Sequence, residues 1–487
     1  MNDSSTTPAP DGPALRDAAA DIDASCRGPV LVLVTAAVPW LGLGLLLALL
    51  GAIKLHAPGF LADCAACTVG RLRPAAMNCL LYGFASQAGL AVLLWMMARL
   101  GGTRLSFQGP IIVAAGVWNL GVLFGVVGIL LGDSTGFEWL EMPRYASPIL
   151  FLAQALIGIY AMANFWMRRV RPLYVSQWYL LAALFWFPWL YSAANLLLVF
   201  QPVRGVLQAV VNGWFSAGLL GLWLGAIGLA VIYYFIPKLT GRPLYSQSLA
   251  ALGFWTGAVF TGWTGSASLV GGPIPLWMAS VQTASGVAML LPLLCAAINW
   301  RLTLHGARVE PSPTLPFVLF AAAAYLVAGG LGVVLSLQPL AVVFGLTMVP
   351  LARVNLALLG FVGMALLGAI YHILPRVSGV PWPSPGRIKV HFFVTGGGVV
   401  LLTCGLLVGG VIQGGRLNDP AVAFVDLARS MVPFIGLSTL GWALLLIGHV
   451  FFALNLSGLL WRWAAPLRAE VRALVRSGVP VKAEVSS

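Results

Sequence analysis

The sequence predicts an all-α membrane protein, with about twelve transmembrane helices in one bundle. Hydrophobic residues make up 60% of the 487 positions and charged residues only 8%, with a mean hydropathy of +0.93. Soluble globular chains carry about a quarter charged residues. Apolar stretches of roughly 20 residues, the length that crosses about 30 Å of hydrocarbon as a helix, recur along the chain. The ten-residue segments of alternating polarity that build a membrane β-barrel do not appear.

The predicted spans occupy nearly the whole chain, so that residues 29–462 form a single transmembrane domain. In chain order the spans are 29–53, 74–98, 108–132, 147–167, 178–200, 206–236, 248–272, 276–299, 316–337, 340–375, 390–413 and 431–461. Residues 1–28 are polar and lack the apolar core and basic lead of a secretory signal, which indicates a disordered tail. Residues 463–487 include the pattern LRAEVRALVR, which predicts a short amphipathic helix at the membrane surface.

The distribution of basic residues predicts the orientation of the bundle. Most of the 27 Lys and Arg fall in the tails and in the loops on the same side as the N-terminus. Cytoplasmic loops carry the excess of positive charge, so both termini are expected in the cytoplasm. The net charge of +13 is therefore mainly an orientation signal. Nucleic-acid binding would need a basic soluble domain, and the sequence offers none.

Six short motifs, in order, carry a resemblance to a known family. They are GRLRPAAMN (70–78), YVSQWY (174–179), YYFIPKLTGRPLYS (233–246), GFWTGAVFTGW (253–263), LGAIYHILPRVSG (367–379) and KVHFFVT (389–395). Together they resemble the catalytic subunit I of haem-copper oxidases of the cbb3 type, over about residues 30–460. The resemblance implies a bundle that holds two haems and a copper ion, reduces oxygen to water and takes electrons from membrane-anchored cytochrome c subunits. It also implies the inner membrane of a bacterium.

The same resemblance assigns the metal-ligand positions, and this chain has a different residue at each of them. The haem-ligand positions fall on Ala76, Arg353 and Asn355, the copper-ligand positions on Ala217, Ala267 and Ser268, and the cross-linked tyrosine on Thr261. Haem iron takes an axial donor such as His, Met, Cys or Tyr, and copper in this setting takes imidazoles. A guanidinium stays protonated and has no lone pair to give. The resemblance therefore predicts a chain without resident haem or copper.

Arg353 is the most unusual residue of the sequence, because it lies inside the apolar stretch VPLARVNLALLGF (349–361). A charge at the centre of a membrane helix costs about 2.5–3.5 kcal/mol on insertion scales and marks a candidate site. No predicted span contains a carboxylate deep in the membrane, which also argues against a proton pump. Arg353 is thus expected to be compensated by backbone carbonyls, by Asn355 and water, or by an anion in the vacated cavity.

Among the five histidines, only His449 lies deep in a predicted helix and outside the family's motifs. Haem b held through such an atypical ligand is the alternative to a chain without cofactors. The more common structural explanation is a packed, hydrogen-bonded side chain.

Two features of the predicted external loops suggest local structure. Cys64 and Cys67 form a CxxC pair followed by Thr68 and not by the His of a c-type haem site, which leaves a disulfide or a redox-active dithiol. Arg71 and Arg73 are expected to clamp the external loops by pairing with Asp63, Glu138 or Glu141. By the resemblance, Glu141, in GFEWLEMPR, matches a loop glutamate that the family associates with a calcium site, but one or two carboxylates argue only weakly for calcium, which takes six to eight oxygen ligands.

Three functions remain open at this point. The leading hypothesis is a metal-free paralogue of the oxidase subunit I that acts as a membrane scaffold or cavity-bearing subunit beside membrane-anchored cytochrome c-like or other respiratory subunits. One alternative is an active oxidase or nitric oxide reductase-type subunit with unusual ligands. The other is transport of an anion or small molecule through the vacated cavity.

Overall fold

The computed structural model describes residues 13–307 and 311–470, and this part of the chain is built from α-helices. The helices are α1 (Pro13–Ser25), α2 (Arg27–His56), α3 (Val69–Gly101), α4 (Gln108–Leu131), α5 (Ala146–Trp166), α6 (Val175–Phe200), α7 (Leu207–Thr240), α8 (Gln247–Thr261), α9 (Leu276–Leu304), α10 (Leu315–Ser336), α11 (Gln338–Phe344), α12 (Val349–Ser378), α13 (Pro385–Leu417) and α14 (Phe424–Trp463). The prediction of an all-α membrane protein is confirmed, because eleven of these helices are long and apolar enough to cross a membrane.

Two of the twelve predicted spans differ from the observed helices. The span 248–272 ends as a regular helix after the 15 residues of α8, because the stretch that follows is rich in glycine and ends in Pro273 and Pro275. The span 340–375 is divided into α11 and α12. Pro350 near the start of α12 suits a helix N-terminus and would disrupt a helix interior.

The expectation of a disordered tail over residues 1–28 is wrong for residues 13–25, which form α1. This helix docks on α3, where Asp23 Oδ1 accepts a hydrogen bond of 2.8 Å from the indole nitrogen of Trp95. The Asp23 carboxylate also lies 3.6 Å from a guanidinium nitrogen of Arg99. The polar composition of α1 thus reflects a helix at the membrane surface. Residues 1–12, and residues 471–487 of the predicted C-terminal helix, lie outside the described residues, whereas residues 465–470 are helical.

Successive long helices run in opposite directions, so the bundle has two ends. We name them the α1 end, where α1 lies, and the first-loop end, which holds the loop 57–68. The α1 end is closely packed, with Trp95, Tyr233, Phe235 and Tyr371 each at most 1% exposed. The first-loop end contains the cavity described next.

Candidate functional site

A cavity of about 1070 Å³ lies at the first-loop end of the bundle. Its walls come from α2, α3, the loop between α4 and α5, and α7 to α14 apart from α11. Ordinary ligand pockets are mostly apolar, hold about 300–1,000 Å³ and carry a few converging polar groups. This cavity is at the upper limit of that range, which makes it the candidate site of the protein.

The structure brings together residues that the sequence analysis placed on four different predicted spans. The residues assigned to metal-ligand positions or to the cross-linked tyrosine that line this cavity are Ala76, Ala217, Thr261, Ala267, Arg353 and Asn355. The seventh, Ser268, belongs to the short 3₁₀ turn Ala267–Leu269. The positions thus converge on one volume, although they are up to 279 residues apart in sequence.

Three of the converging positions lie one to three residues before a widened turn of the π type. These turns are Cys79–Ala85 after Ala76, Leu219–Leu224 after Ala217 and Leu356–Gly363 after Asn355. A π turn adds a residue to the helical turn and rotates the side chains on either side of it, and it occurs frequently at functional sites. Local helix geometry therefore helps to direct these positions toward the cavity.

Arg353 is held in the cavity wall by a single hydrogen bond. Its Nε donates to the carbonyl oxygen of Ala328 on α10 at 3.3 Å. The guanidinium lies directly against Gly332, where an added Cβ would come within 2.8 Å of Nε. No described residue accepts a hydrogen bond from its two terminal nitrogens or forms an ion pair with it. The expected compensation by backbone carbonyls is thus present only in part.

Asn355 does not compensate Arg353, contrary to one of the three sequence-based expectations. Its Nδ2 donates to the carbonyl oxygen of Leu351 at 2.9 Å, one turn back along α12. Its Oδ1 is buried and has no hydrogen-bond partner in the described part of the chain. A buried acceptor without a partner carries a free-energy cost that a bound donor would remove.

The acidic residues of the cavity lie at its rim. There Arg71 and Glu141, two residues of the predicted loop clamp, form hydrogen bonds to other partners and not an ion pair with each other. Glu141 accepts a hydrogen bond of 2.7 Å from Asn78 Nδ2, and burial raises the pKa of this carboxyl group to about 7. Arg71 instead donates to the carbonyl oxygen of Leu130 at 3.2 Å. The ion pairs found in residues 13–307 and 311–470 do not join Arg71 or Arg73 to Glu141, so the predicted clamp by direct pairing is wrong.

Glu138 is a second acidic residue of the rim. Burial raises the pKa of its carboxyl group, while the nearby positive charge of Arg73 opposes that rise. Sequence reasoning named Glu138 only as one of several partners for the loop arginines. Its neighbour Glu141 in the same loop, GFEWLEMPR, could be recognised through the family motif, whereas no such signal selected Glu138.

The donor atoms in the cavity wall do not fit two haems and a copper ion. The lining residues include no histidine and no cysteine, and the candidate donors among them are the thioethers of Met77 and Met289 and the phenol of Tyr325. Met289 Sδ already accepts a hydrogen bond of 3.7 Å from Thr261 Oγ1. Over the described residues, no group of three or more His, Cys, Asp and Glu side chains could hold a metal ion. Copper in this setting takes imidazoles, which the cavity lacks.

His449 is buried, as expected, but it is not among the residues that line the cavity. Its Nδ1 lies 2.7 Å from the carbonyl oxygen of Leu445, and its ring packs 5.0 Å from the ring of His391. His391 Nδ1 in turn lies 2.8 Å from the hydroxyl of Tyr371. The sequence analysis did not foresee this cluster, because its members lie on three different helices.

Cys64 and Cys67 flank the short 3₁₀ turn Ala65–Cys67 as free thiols. A hydrogen bond between the two side chains lowers the pKa of the Cys64 thiol and raises that of the Cys67 thiol. The predicted disulfide is therefore not formed in this structure. The arrangement is that of a reduced CxxC pair with Cys64 as the more acidic thiol.

The fold and the cavity define a polytopic helical membrane protein built like the core subunit of a terminal oxidase. One chain of a haem-copper terminal oxidase dimer, solved by cryo-EM, has a similar fold with a TM-score of 0.65. That similarity covers 91% of this chain and 84% of the other at 15% sequence identity. At this identity the likeness concerns the fold alone.

Sequence comparison identifies the family. Residues 28–463 match the family described as "Cytochrome C and Quinol oxidase polypeptide I", and the chain belongs to it. A "Cytochrome c oxidase subunit 1 homolog" of Azorhizobium caulinodans is 27% identical over 445 residues, which cover 88% of this chain and 81% of that protein. The "Cbb3-type cytochrome c oxidase subunit CcoN1" of Stutzerimonas stutzeri is 26% identical over 404 residues, which cover 79% and 85%. The predicted resemblance to the cbb3-type family is thus confirmed at the level of the family.

Proposed function

We propose that this protein is a metal-free paralogue of cbb3-type cytochrome c oxidase subunit I, and that it serves as a cavity-bearing subunit of a respiratory-type membrane assembly. Its location would be the bacterial inner membrane, with both termini in the cytoplasm. The observation that carries the proposal is the convergence of Ala76, Ala217, Thr261, Arg353 and Asn355 on one cavity. Alanine, arginine and asparagine side chains there offer no donor suited to haem iron or to copper.

The proposal of partners follows from the names of the relatives and from the shape that this chain retains. The Stutzerimonas stutzeri relative is named as a subunit, so it works with other chains. A chain that retains the bundle without the metal ligands would retain the surfaces on which such partners dock. We therefore expect membrane-anchored cytochrome c-like or other respiratory subunits as partners, within the lipid membrane and without nucleic acid.

A reduced-minus-oxidised absorption spectrum with metal analysis on the full-length protein, purified in a neutral detergent, tests the proposal. We expect neither stoichiometric b-type haem nor copper. Haem at about one per chain would overturn it and would support the alternative of an oxidase or nitric oxide reductase-type subunit with unusual ligands. Met77, Met289 and Tyr325, which line the cavity, and His449 would then be replaced one at a time to find the ligand.

Restoring histidines provides a second test, directed at the assignment of the ligand positions. The triple variant Ala76→His, Arg353→His and Asn355→His supplies imidazoles at the three assigned haem-ligand positions. We expect it to bind haem b when purified from haem-supplemented cells, with the absorption bands of imidazole-ligated iron. The matched control replaces Ala75, which is buried but outside the cavity lining, in place of Ala76. Equal haem content in both triple variants would contradict the assignment.

Transport is the second candidate function, and the unpaired charge of Arg353 in a large cavity favours it. The closely packed α1 end opposes it, because a transported ion would need a path through side chains that are almost fully buried. Uptake of a small anion into liposomes that is lost in Arg353→Ala would establish transport. Absence of uptake, with the bundle folded, would leave the subunit role.

A further inference from the structure

The guanidinium of Arg353 has an unmet requirement for a counter-charge. It remains protonated, because arginine does not lose its proton in proteins. Its one hydrogen bond, from Nε to the Ala328 carbonyl, leaves two terminal nitrogens without a described acceptor. Burying a charge without pairing is expensive, so buried charges are normally paired or hydrogen-bonded.

The acidic residues of the cavity do not meet this requirement. Within the described chain, the carboxylates that line it are those of Glu138 and Glu141 in the loop between α4 and α5. Neither forms an ion pair with Arg353. The Glu141 carboxyl group is already engaged by Asn78, and Arg73 at the rim adds a second positive charge to the cavity lining. No carboxylate of the described residues therefore neutralises the Arg353 guanidinium by direct pairing.

The remaining wall is largely apolar. The lining includes Leu220, Leu293, Val333, Leu351, Phe361 and Trp442. Such a wall favours hydrocarbon, whereas the guanidinium favours a planar or tetrahedral oxyanion that accepts two parallel hydrogen bonds. One molecule satisfies both surfaces if it has an anionic head group and an apolar body.

Two exposed leucines among the lining residues mark where such a molecule can enter. Leu346, between α11 and α12, is 79% exposed, and Leu55, at the end of α2, is 52% exposed. Both border the cavity. An apolar entrance of this kind suits a molecule that reaches the cavity from the membrane or its surface.

We propose that the cavity binds an amphiphilic anion, a carboxylate or phosphate monoester on an apolar chain, whose head group pairs with Arg353. The inference rests on the proposed metal-free cavity, because haem would occupy the same volume. Asn355 Oδ1, which has no partner, is available to a water molecule or to a protonated oxygen of the head group. Arg353 thus becomes a ligand-binding residue in place of a metal ligand.

Three probes of equal chain length test the proposal on the full-length protein in a neutral detergent. Dodecanoate, dodecyl phosphate and dodecanol are compared by isothermal titration calorimetry. We expect at least one anion to bind on the order of tenfold more tightly than the alcohol, which is about 1.4 kcal/mol, because a charged head group accepts stronger hydrogen bonds from the guanidinium. The tighter anion identifies the head group as carboxylate or phosphate. Equal binding of all three probes would overturn the proposal.

Variants then assign the preference to Arg353. In Arg353→Gln the preference for the anion over the alcohol is expected to disappear, while Arg353→Lys should keep part of it, because lysine provides charge without the planar fork. Arg429→Gln is the matched control, since Arg429 lies on α14 with its side chain 80% exposed and outside the cavity lining. An unchanged preference in Arg353→Gln would overturn the assignment. If Arg353→Gln does not fold, the binding preferences of Arg353→Lys and of the wild-type protein still test whether the anion pairs with Arg353.

The outcomes separate this inference from the proposed function. Stoichiometric haem in the purified protein would refute the metal-free cavity whatever the probes do. An absence of haem together with equal binding of anions and alcohol would refute only the amphiphilic anion.

Discussion

The two ends of the bundle differ in how closely their side chains pack, although both contain buried polar atoms without a described partner, such as the Tyr233 hydroxyl at the α1 end and Asn355 Oδ1 at the first-loop end. At the α1 end, Tyr174 donates to the carbonyl oxygen of Tyr233 at 2.7 Å, and Ser176 donates to that of Ala230 at 2.8 Å. At the first-loop end, Arg353 and Asn355 retain unpaired atoms beside a cavity of about 1070 Å³. The residues of both ends lie on the same long helices, so the helices alone do not cause the difference.

This comparison parallels the distribution of the six family motifs. Four of them, at 174–179, 233–246, 367–379 and 389–395, lie toward the α1 end. The positions that the resemblance assigns to metal ligands lie at the first-loop end. Close packing thus accompanies most of the motifs, whereas the assigned positions face the cavity.

The largest expected effect comes from two leucine substitutions, which test whether the two ends of the bundle differ in packing. Leu366→Ala, at a position that is fully buried in α12, should cost about 2–4 kcal/mol of unfolding free energy, because neighbouring atoms cannot fill the space. Leu351→Ala, in the same helix but on the cavity wall, should cost less than about 1.5 kcal/mol. Equilibrium unfolding in detergent measures both. Equal losses would contradict the contrast between the ends.

The pH dependence of stability should reveal the buried acid of the first-loop end. Burial raises the Glu141 pKa from the ordinary 4.5 to about 7 although the hydrogen bond from Asn78 opposes the rise. The folded protein therefore holds the Glu141 proton more tightly than the unfolded chain does, and this contributes on the order of 3 kcal/mol to the free energy of unfolding. The contribution is fully present below pH 4.5 and is lost as the pH rises through 7. Thermal unfolding between pH 4.5 and 8 measures this loss.

Glu141→Gln is the control for that experiment, because the amide keeps an acceptor for Asn78 but does not titrate. Its stability should vary less with pH in the same window, apart from the smaller contribution of Glu138, whose pKa is also raised by burial. An unchanged pH profile in Glu141→Gln would assign the effect to another group.

A smaller effect tests how α1 is attached to the α1 end. Asp23→Ala removes the acceptor of the Trp95 indole and the carboxylate 3.6 Å from Arg99. We expect a loss of about 1–3 kcal/mol, because the buried Trp95 donor loses its acceptor and Arg99 loses its carboxylate while it keeps the Ala19 carbonyl. Faster hydrogen exchange over residues 13–25 would measure this weaker docking of α1. Asp23→Asn should lose less, since it retains an acceptor for the indole.

The smallest effect concerns the CxxC pair of the first loop. The lowered pKa of Cys64 should make it react with iodoacetamide faster than Cys67 at neutral pH, because the thiolate is the nucleophile. Peptide mass spectrometry after brief alkylation gives the order. Cys67→Ser should slow the reaction of Cys64 if the hydrogen bond between the thiols is responsible. The substitution should change the unfolding free energy by less than about 1 kcal/mol, as expected for a partly exposed residue in a loop.

Local sequence was sufficient to predict those structural properties that depend on residues close together in the chain. Hydropathy over about 20 residues located the long helices, because a helix in hydrocarbon must satisfy its own backbone and cover itself with apolar side chains. It failed at α8 and at the boundary of α11 and α12, where glycine and proline end the helix within an apolar stretch. It also failed at α1, because the polar composition of residues 13–25 does not distinguish a docked surface helix from a disordered tail.

The sequence by itself determined the membrane bundle and the family, since both are written in residue identity and short-range order. Only the tertiary structure decided which side chains share a cavity, that Glu141 bonds to Asn78 instead of pairing with Arg71 or Arg73, and that His449 packs against His391 outside the cavity lining. These contacts join residues 58 to 63 positions apart, such as His391 with His449 and Asn78 with Glu141. Such pairs meet only when helices pack against one another, and local patterns of hydropathy carry no information about that packing.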